Sequence, residues 1–180
     1  DKTRNIIVAV AGPGGCGKST FAEQLNKHLH HSAILHLDDY RYPRSQRAKN
    51  LLGSNPKANN LKLLLSHLES ILINESFEKP VYNSITGLAD SIENYRPQAV
   101  NIIDGELSTK GELASCVDFI IFISAPILNQ LYYRVKRDRF DRKYSLVKSL
   151  YIFIKSNLIE YRIYNPKAKK CADIVVHRID

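Results

Sequence analysis

Apolar residues recur along this chain with two alternating periods. Asn5 to Ala11 (NIIVAVA) is a continuous run of β-branched and small apolar residues, the pattern of a strand buried on both faces. From Ser19 to His30, Phe21, Leu25 and Leu29 fall four apart and predict a helix with one apolar stripe. Ala33 to Leu37 is a second short apolar run, ending at Asp38-Asp39. After a polar, basic loop, Leu61, Leu64, Leu65, Leu68 and Leu72 predict a helix over Leu61 to Ile73. Ala99 to Ile103 and Phe119 to Ile123 read as two further strands, closed by the breaks Asp104-Gly105 and Ser124-Ala125-Pro126. Ile127 to Phe140 and Ser145 to Tyr164 predict two helices, and Ala172 to Val176 a last strand. Strands separated by helices predict an α/β fold with a parallel sheet flanked by helices. Glu78 to Asn94 breaks the rhythm with Pro80, Gly87 and β-prone residues, and reads as a hairpin or lid inserted beside a site.

Composition narrows this picture modestly. A length of 180 residues fits a single domain spanning 1–180, and 44 % hydrophobic with 24 % charged residues is ordinary for a globular protein. No run approaches the eighteen or so apolar residues of a membrane helix, so no membrane partner is expected. Asp1 to Arg4 lead straight into the first strand, so no signal or transit peptide is expected; the chain contains no Met, so the initiator is missing. A net charge of +8 suits anionic ligands in general and selects none of them. Cys16, Cys116 and Cys171 are odd in number and widely spaced, without a metal-binding pair, which predicts a reduced, cytoplasmic protein.

Chemistry enters at residues 12–20, Gly-Pro-Gly-Gly-Cys-Gly-Lys-Ser-Thr. Gly12 and Gly17 bracket four residues and are followed by Lys18 and Ser19, the pattern G-x-x-x-x-G-K-[ST]. Glycines let backbone N–H groups converge on a phosphate, and the next helix points its free amides and positive dipole end at the same anion. Lys18 supplies a cation for the β/γ-phosphates, and the Ser19 hydroxyl can ligate Mg²⁺. A chance match in a chain of this length has a probability of roughly 1 %. The phosphate-binding set is therefore Gly12, Gly14, Gly15, Cys16, Gly17, Lys18, Ser19 and Thr20, with ATP and Mg²⁺ as the expected cofactors. The guanine-reading Asn-Lys-x-Asp is not satisfied, since Asn26-Lys27-His28 is followed by Leu29, and no Leu-Ser-Gly-Gly-Gln appears.

Acidic groups extend the pattern toward phosphoryl transfer. Asp38 and Asp39 end the second strand, where open α/β sheets place ligands, and a carboxylate there can take the proton of an attacking hydroxyl. Asp104 and Glu106 follow the strand at Ala99 to Ile103; Asp104, directly against it, is the better candidate for Mg²⁺. Arg134 to Lys143 packs six cations into ten residues. Alone, that reads as a solvated helix face laced with pairs to Asp138 and Asp141; beside a phosphate loop, it reads as a basic lid over about 134–144.

Several of these stretches together resemble the phosphoribulokinase/uridine kinase family, and are closest to its phosphoribulokinases of plants and cyanobacteria. Ala11 to Phe21, Leu37-Asp38-Asp39-Tyr40, Asn55 to Asn60, Lys79 to Gly87, Arg137-Asp138 with Arg142, and Pro166 to Val175 match in order. The resemblance implies a P-loop nucleoside triphosphate hydrolase fold, MgATP as donor and a small-molecule acceptor. It implies Asp38 as the base, Asp104 at Mg²⁺ in place of a glutamate, and Arg137 and Arg142 as lid arginines. Asp39, Tyr40, Arg41, Arg44, Asn60 and Tyr82 become acceptor-side candidates, with about 78–95 as the acceptor-side insertion. The cations Arg41, Arg44, Arg47 and Lys49 suit a sugar-phosphate acceptor.

The departures leave the acceptor open between a sugar phosphate such as ribulose 5-phosphate and a nucleoside such as uridine. Phosphoribulokinases carry a histidine where Ser84 stands, and the His and Arg of uridine kinases are missing from Gly87 to Asp90. The residues flanking the lid arginine are Asp141 and Lys143 in place of glutamate and glycine. The plant redox partner of Cys16 falls at His36, so Cys16 is a small loop residue with no disulfide to form. A homo-oligomer is left open, and nucleic acid is not expected. The alternative class, a nucleotide-binding regulator or nucleic-acid-binding ATPase, would reveal itself by steeply salt-dependent binding.

Overall fold

The computed structural model describes residues 4–48 and 51–179; Lys49, last of the cations of the basic loop, lies outside them. Its centre is a sheet of five parallel strands: β1 (Ile6–Ala11), β2 (Ser32–His36), β5 (Val100–Asp104), β6 (Phe119–Ser124) and β7 (Ile174–His177). Their spatial order is β2-β5-β1-β6-β7. In register, Val10 lies opposite Asp104 on one side and Ile121 on the other, and His36 lies opposite Asp104.

Both faces of the sheet are covered, which is why β1 reads as apolar without alternation. On one face, Val8, Val10, Ile102 and Ile121 pack with Ala22, Phe21 and Leu25 of α1 (Lys18–His28). On the other, Ile7, Leu35 and Ile103 pack with Leu64, Leu68 and Ile71 of α2 (Leu61–Leu72). The 3₁₀ turn Leu37–Tyr40 adds Leu37 and Tyr40 to that second core.

The irregular stretch is a hairpin, β3 (Phe77–Asn83) with β4 (Leu88–Tyr95), forming its own antiparallel two-stranded sheet with a register shift at Val81/Tyr82. α3 (Ile127–Phe140) follows β6 as expected. The single long helix expected over Ser145 to Tyr164 is divided: α4 (Leu146–Phe153), a π-helical stretch Ile154–Glu160, then α5 (Tyr161–Tyr164). Wider π turns occur where a local requirement outweighs regular hydrogen bonding. Here Ser156, Asn157 and Glu160 are buried, and all three bond to other segments, as described below.

Candidate active site

β1, β2 and β5 are neighbours, so whatever follows their carboxyl ends meets in one crevice. After β1 comes the glycine loop, after β2 the Asp38 turn, after β5 Asp104. Gly15 and Gly17 hold φ +78° and +98°, in the left-handed region that favours glycine, and a Cβ on Gly15 would overlap the Gln130 carbonyl. Lys18 opens α1 and is buried, its Nζ donating to the Pro13 carbonyl at 3.0 Å. Cys16 is fully buried, and burial pushes its thiol pKa up, which makes it unreactive packing inside the loop.

A cavity of about 120 Å³ brings together Gly14, Lys18, Ser19, Asp38, Asp104 and Glu106 with Arg41, Arg44, Arg47, Arg134, Arg137 and Arg142. Asp38 is half exposed and pairs with Arg41 at 2.5 Å. Burial alone would raise its pKa; Arg41, Arg137, Arg142 and Lys18 outweigh that and hold the carboxyl below its usual value. Asp104 Oδ1 and Glu106 Oε2 are buried without a hydrogen-bond partner among the described residues. Two orphaned carboxylate oxygens beside the Ser19 hydroxyl are the hard oxygen donors that a Mg²⁺ ion takes. Asp104 Oδ2 faces His36 Nδ1 at 3.3 Å, and this hydrogen bond raises the His36 pKa.

Half of the basic stretch is exposed (Lys136, Arg139 and Lys143), while Arg134, Arg137 and Arg142 turn to a single acid. Asp138 is completely buried and collects Arg142 at 2.9 Å, Arg137 at 3.8 Å and Arg134 at 4.0 Å. Arg134 crosses the cavity wall to Asn157 (2.6 Å), whose amide donates to the Gly14 carbonyl at 2.7 Å. Glu160 and Ser156 of the same π stretch bond Ser54 at 2.9 and 2.7 Å. The glycine loop and the 51–60 segment are thus held by one helix. Asp141, the other acid expected to pair, is exposed.

Three of the acceptor-side candidates lie outside the lining of the cavity. Asp39 does not line the cavity: its oxygens are engaged by Lys79 Nζ at 2.8 Å and the Tyr82 amide at 3.1 Å. Tyr40 is buried against His67, with its hydroxyl 2.7 Å from Nδ1. Asn60 caps α2, accepting from the Leu63 amide at 3.2 Å. Arg41, Arg44 and Tyr82 do line the cavity, and Arg47 reaches the Tyr82 hydroxyl at 2.7 Å. Thr20 is exposed, and Gly12 lies buried under the Ile123 carbonyl. Glu106, Arg134, Tyr144 and Ser156 line the cavity without having been singled out as site residues. Glu106 had the same strand-end signal as Asp104, Arg134 and Tyr144 fell within the basic 134–144 stretch, and Ser156 had no signal.

A parallel sheet covered by helices on both faces, with a phosphate loop after its central strand and acids after β5 and β2 on one side of it, defines a P-loop phosphotransferase architecture. A sequence profile of the Phosphoribulokinase / Uridine kinase family matches residues 7–180, and the chain belongs to that family. It is 28 % identical to a phosphoribulokinase of Synechocystis sp. over 178 residues, 96 % of this chain and 53 % of that one. It is 25 % identical to a uridine kinase of Oceanobacillus iheyensis, covering 97 % of this chain and 87 % of that one. The fold matches the structure of a phosphoribulokinase from Rhodobacter spheroides with a TM-score of 0.69 at 16 % identity, over 98 % of this chain and 72 % of that one. The chain spans about half the length of the phosphoribulokinases of Synechocystis sp., Mesembryanthemum crystallinum and Triticum aestivum. Among the described residues no helix is long and apolar enough to cross a membrane.

Proposed function

We propose that the chain is an ATP-dependent kinase transferring the γ-phosphoryl group to a hydroxyl of a pentose-containing metabolite. One observation carries this reading: phosphate-loop Lys18 and Ser19, the carboxylate Asp38, and Arg137 with Arg142 line a single cavity. Each supplies a different part of the reaction. Asp38, ionised by its cationic surroundings, accepts the proton as the acceptor O–H bond breaks and the oxygen bonds to γ-phosphorus; the bond to the ADP oxygen breaks. Lys18, Arg137 and Arg142 neutralise the charge on the phosphoryl oxygens and the leaving ADP. Ser19 and Asp104, with Glu106 beside them, would hold Mg²⁺, which when bound adds charge neutralisation and orients the phosphates. The hairpin β3–β4 forms the acceptor side and residues 134–144 the lid.

Within this reading a phosphorylated acceptor is favoured. Seven cations face the cavity against three carboxylates. A phosphomonoester brings roughly −1.5 to −2 charges at pH 7 and takes up part of that excess, whereas a nucleoside brings none. The second reading, a nucleoside acceptor, is supported by length: the uridine kinase relative is matched over 87 % of its chain.

ADP release from MgATP across ribulose 5-phosphate, uridine, cytidine, nicotinamide riboside and pantothenate tests both. Turnover with ribulose 5-phosphate supports the first reading and turnover with a nucleoside the second. Release of ADP with none of them, or equal release in Lys18→Ala, overturns the kinase assignment to a pentose acceptor.

A further inference from the structure

Arg44 belongs to the cavity wall, and its donors are taken up by neighbouring segments of that wall and the hairpin tip. Its backbone amide donates to the Gly87 carbonyl at 2.9 Å. Its guanidinium donates to the Ile85 carbonyl at 3.1 Å and to the Ser84 carbonyl, so the hairpin tip is gripped at three carbonyls. A fourth bond runs from Nη2 to the Tyr144 hydroxyl at 2.6 Å, in the connection between α3 and α4. Gly87, at φ +80°, has no room for a Cβ beside the Arg44 side chain, so the tip is shaped around this residue.

Tyr144 is tied in turn to the cationic end of α3. Its amide donates to the Asp138 carbonyl at 3.0 Å, and the Asp138 carboxylate holds Arg142 at 2.9 Å. Lys148 sits 3.7 Å from the centre of the Tyr144 ring and fixes its orientation from the α4 side. A continuous path of hydrogen bonds therefore joins Ser84 and Ile85, through Arg44 and Tyr144, to Asp138 and Arg142.

We propose that Arg44 and Tyr144 are positioning residues that couple the acceptor hairpin to the placement of Arg137 and Arg142. Resting on the kinase reading, the coupling makes the hairpin and the arginine-bearing turn one unit, so that an acceptor held by the hairpin meets correctly placed arginines. A planar fork is needed, because three acceptors in different directions are served by one guanidinium; an ammonium on a flexible stem does not match them.

Two measurements on the full chain test this. Hydrogen exchange without substrate is compared in wild type, Arg44→Ala and Tyr144→Phe. Arg44→Ala should speed exchange both at Ile85 to Leu88 and at the amides of Asp141 and Tyr144, by about tenfold, the loss of one hydrogen bond to a charged group. Tyr144→Phe should speed the Asp141 and Tyr144 amides alone. Unchanged exchange at those amides in Arg44→Ala overturns the coupling, whether or not any acceptor is phosphorylated. With the acceptor that the ADP-release panel selects, Tyr144→Phe should lower kcat about tenfold with KM unchanged, and Arg44→Lys should not restore what Arg44→Ala loses. The Arg44→Ala/Tyr144→Phe double variant should lose little more kcat than Arg44→Ala alone. Wild-type kcat in Tyr144→Phe, or losses that multiply independently, overturns it.

Discussion

Lys79 of the hairpin lies 2.8 Å from the Asp39 carboxylate, and both side chains are almost wholly buried. The pair decides which of two adjacent aspartates is available for chemistry, because it turns Asp39 inward and leaves Asp38 at the cavity. Removing one member of a buried ion pair strands the other charge and costs about 3–5 kcal/mol. Lys79 also reaches Glu93 at 2.9 Å, on the exposed side of β4, which softens the loss only for the ammonium. Lys79→Ala should lower the unfolding free energy by about 3 kcal/mol in urea titration. A change under 1 kcal/mol would show that Asp39 finds solvent without it.

Asp38→Asn keeps the shape of the turn and removes the carboxylate proposed as proton acceptor. Turnover should fall about a hundredfold or more, while MgATP binding by calorimetry stays within about twofold. Because neighbouring cations hold the wild-type carboxyl low, kcat/KM should show no carboxylate protonation step between pH 8 and about pH 5. An acid limb with an apparent pKa of about 6 would place the base elsewhere.

His67 is buried between Tyr40 and Phe77, stacked on the Phe77 ring at 4.0 Å, and burial lowers its pKa. The unfolded chain, with an ordinary imidazole near 6.5, takes up a proton that the folded chain refuses. Stability from this residue is therefore present above about pH 6.5 and falls as pH drops below it. Urea midpoints at pH 7.5 and 5.5 should differ more in wild type than in His67→Gln; equal slopes would contradict the assignment.

Lys143 has φ +57°, a left-handed conformation that non-glycine residues adopt at a cost of about 1–2 kcal/mol. Lys143→Gly should leave the melting temperature unchanged or raise it. Lys143→Val should lower stability by about 1 kcal/mol or more. A stable valine variant would mean that the turn rearranges freely.

Much of this architecture was legible in the chain. β1 and the residues after it are local signals: a buried strand is written as a continuous apolar run, and a phosphate loop as glycines followed by Lys18 and Ser19. Asp38 and Asp104 were legible for the same reason, since each directly follows such a run. The inward placement of Asp39 was not legible because its partner, Lys79, is forty residues away and belongs to a hairpin with no helical or parallel-sheet rhythm. Asn157 carried no signal, since its hydrogen bond to the Gly14 carbonyl depends on a π turn that a helical period cannot announce. The six cations of Arg134 to Lys143 were visible as charge, but the anchor shared by three of them, the buried Asp138, was one acid among two.

The hairpin β3–β4 shares no ladder bond with the five-stranded sheet among the described residues. Its ties to the body include side-chain clasps, Lys79 to Asp39 at the base and Arg44 at the tip. Ladder bonds between strands demand register, but clasps demand only two anchoring residues. A hairpin of different length or sequence can therefore be exchanged between relatives without disturbing the phosphate loop, provided those anchors travel with it. If the hairpin holds the acceptor, as proposed, a change of acceptor becomes a matter of replacing a cassette beside an untouched phosphate loop.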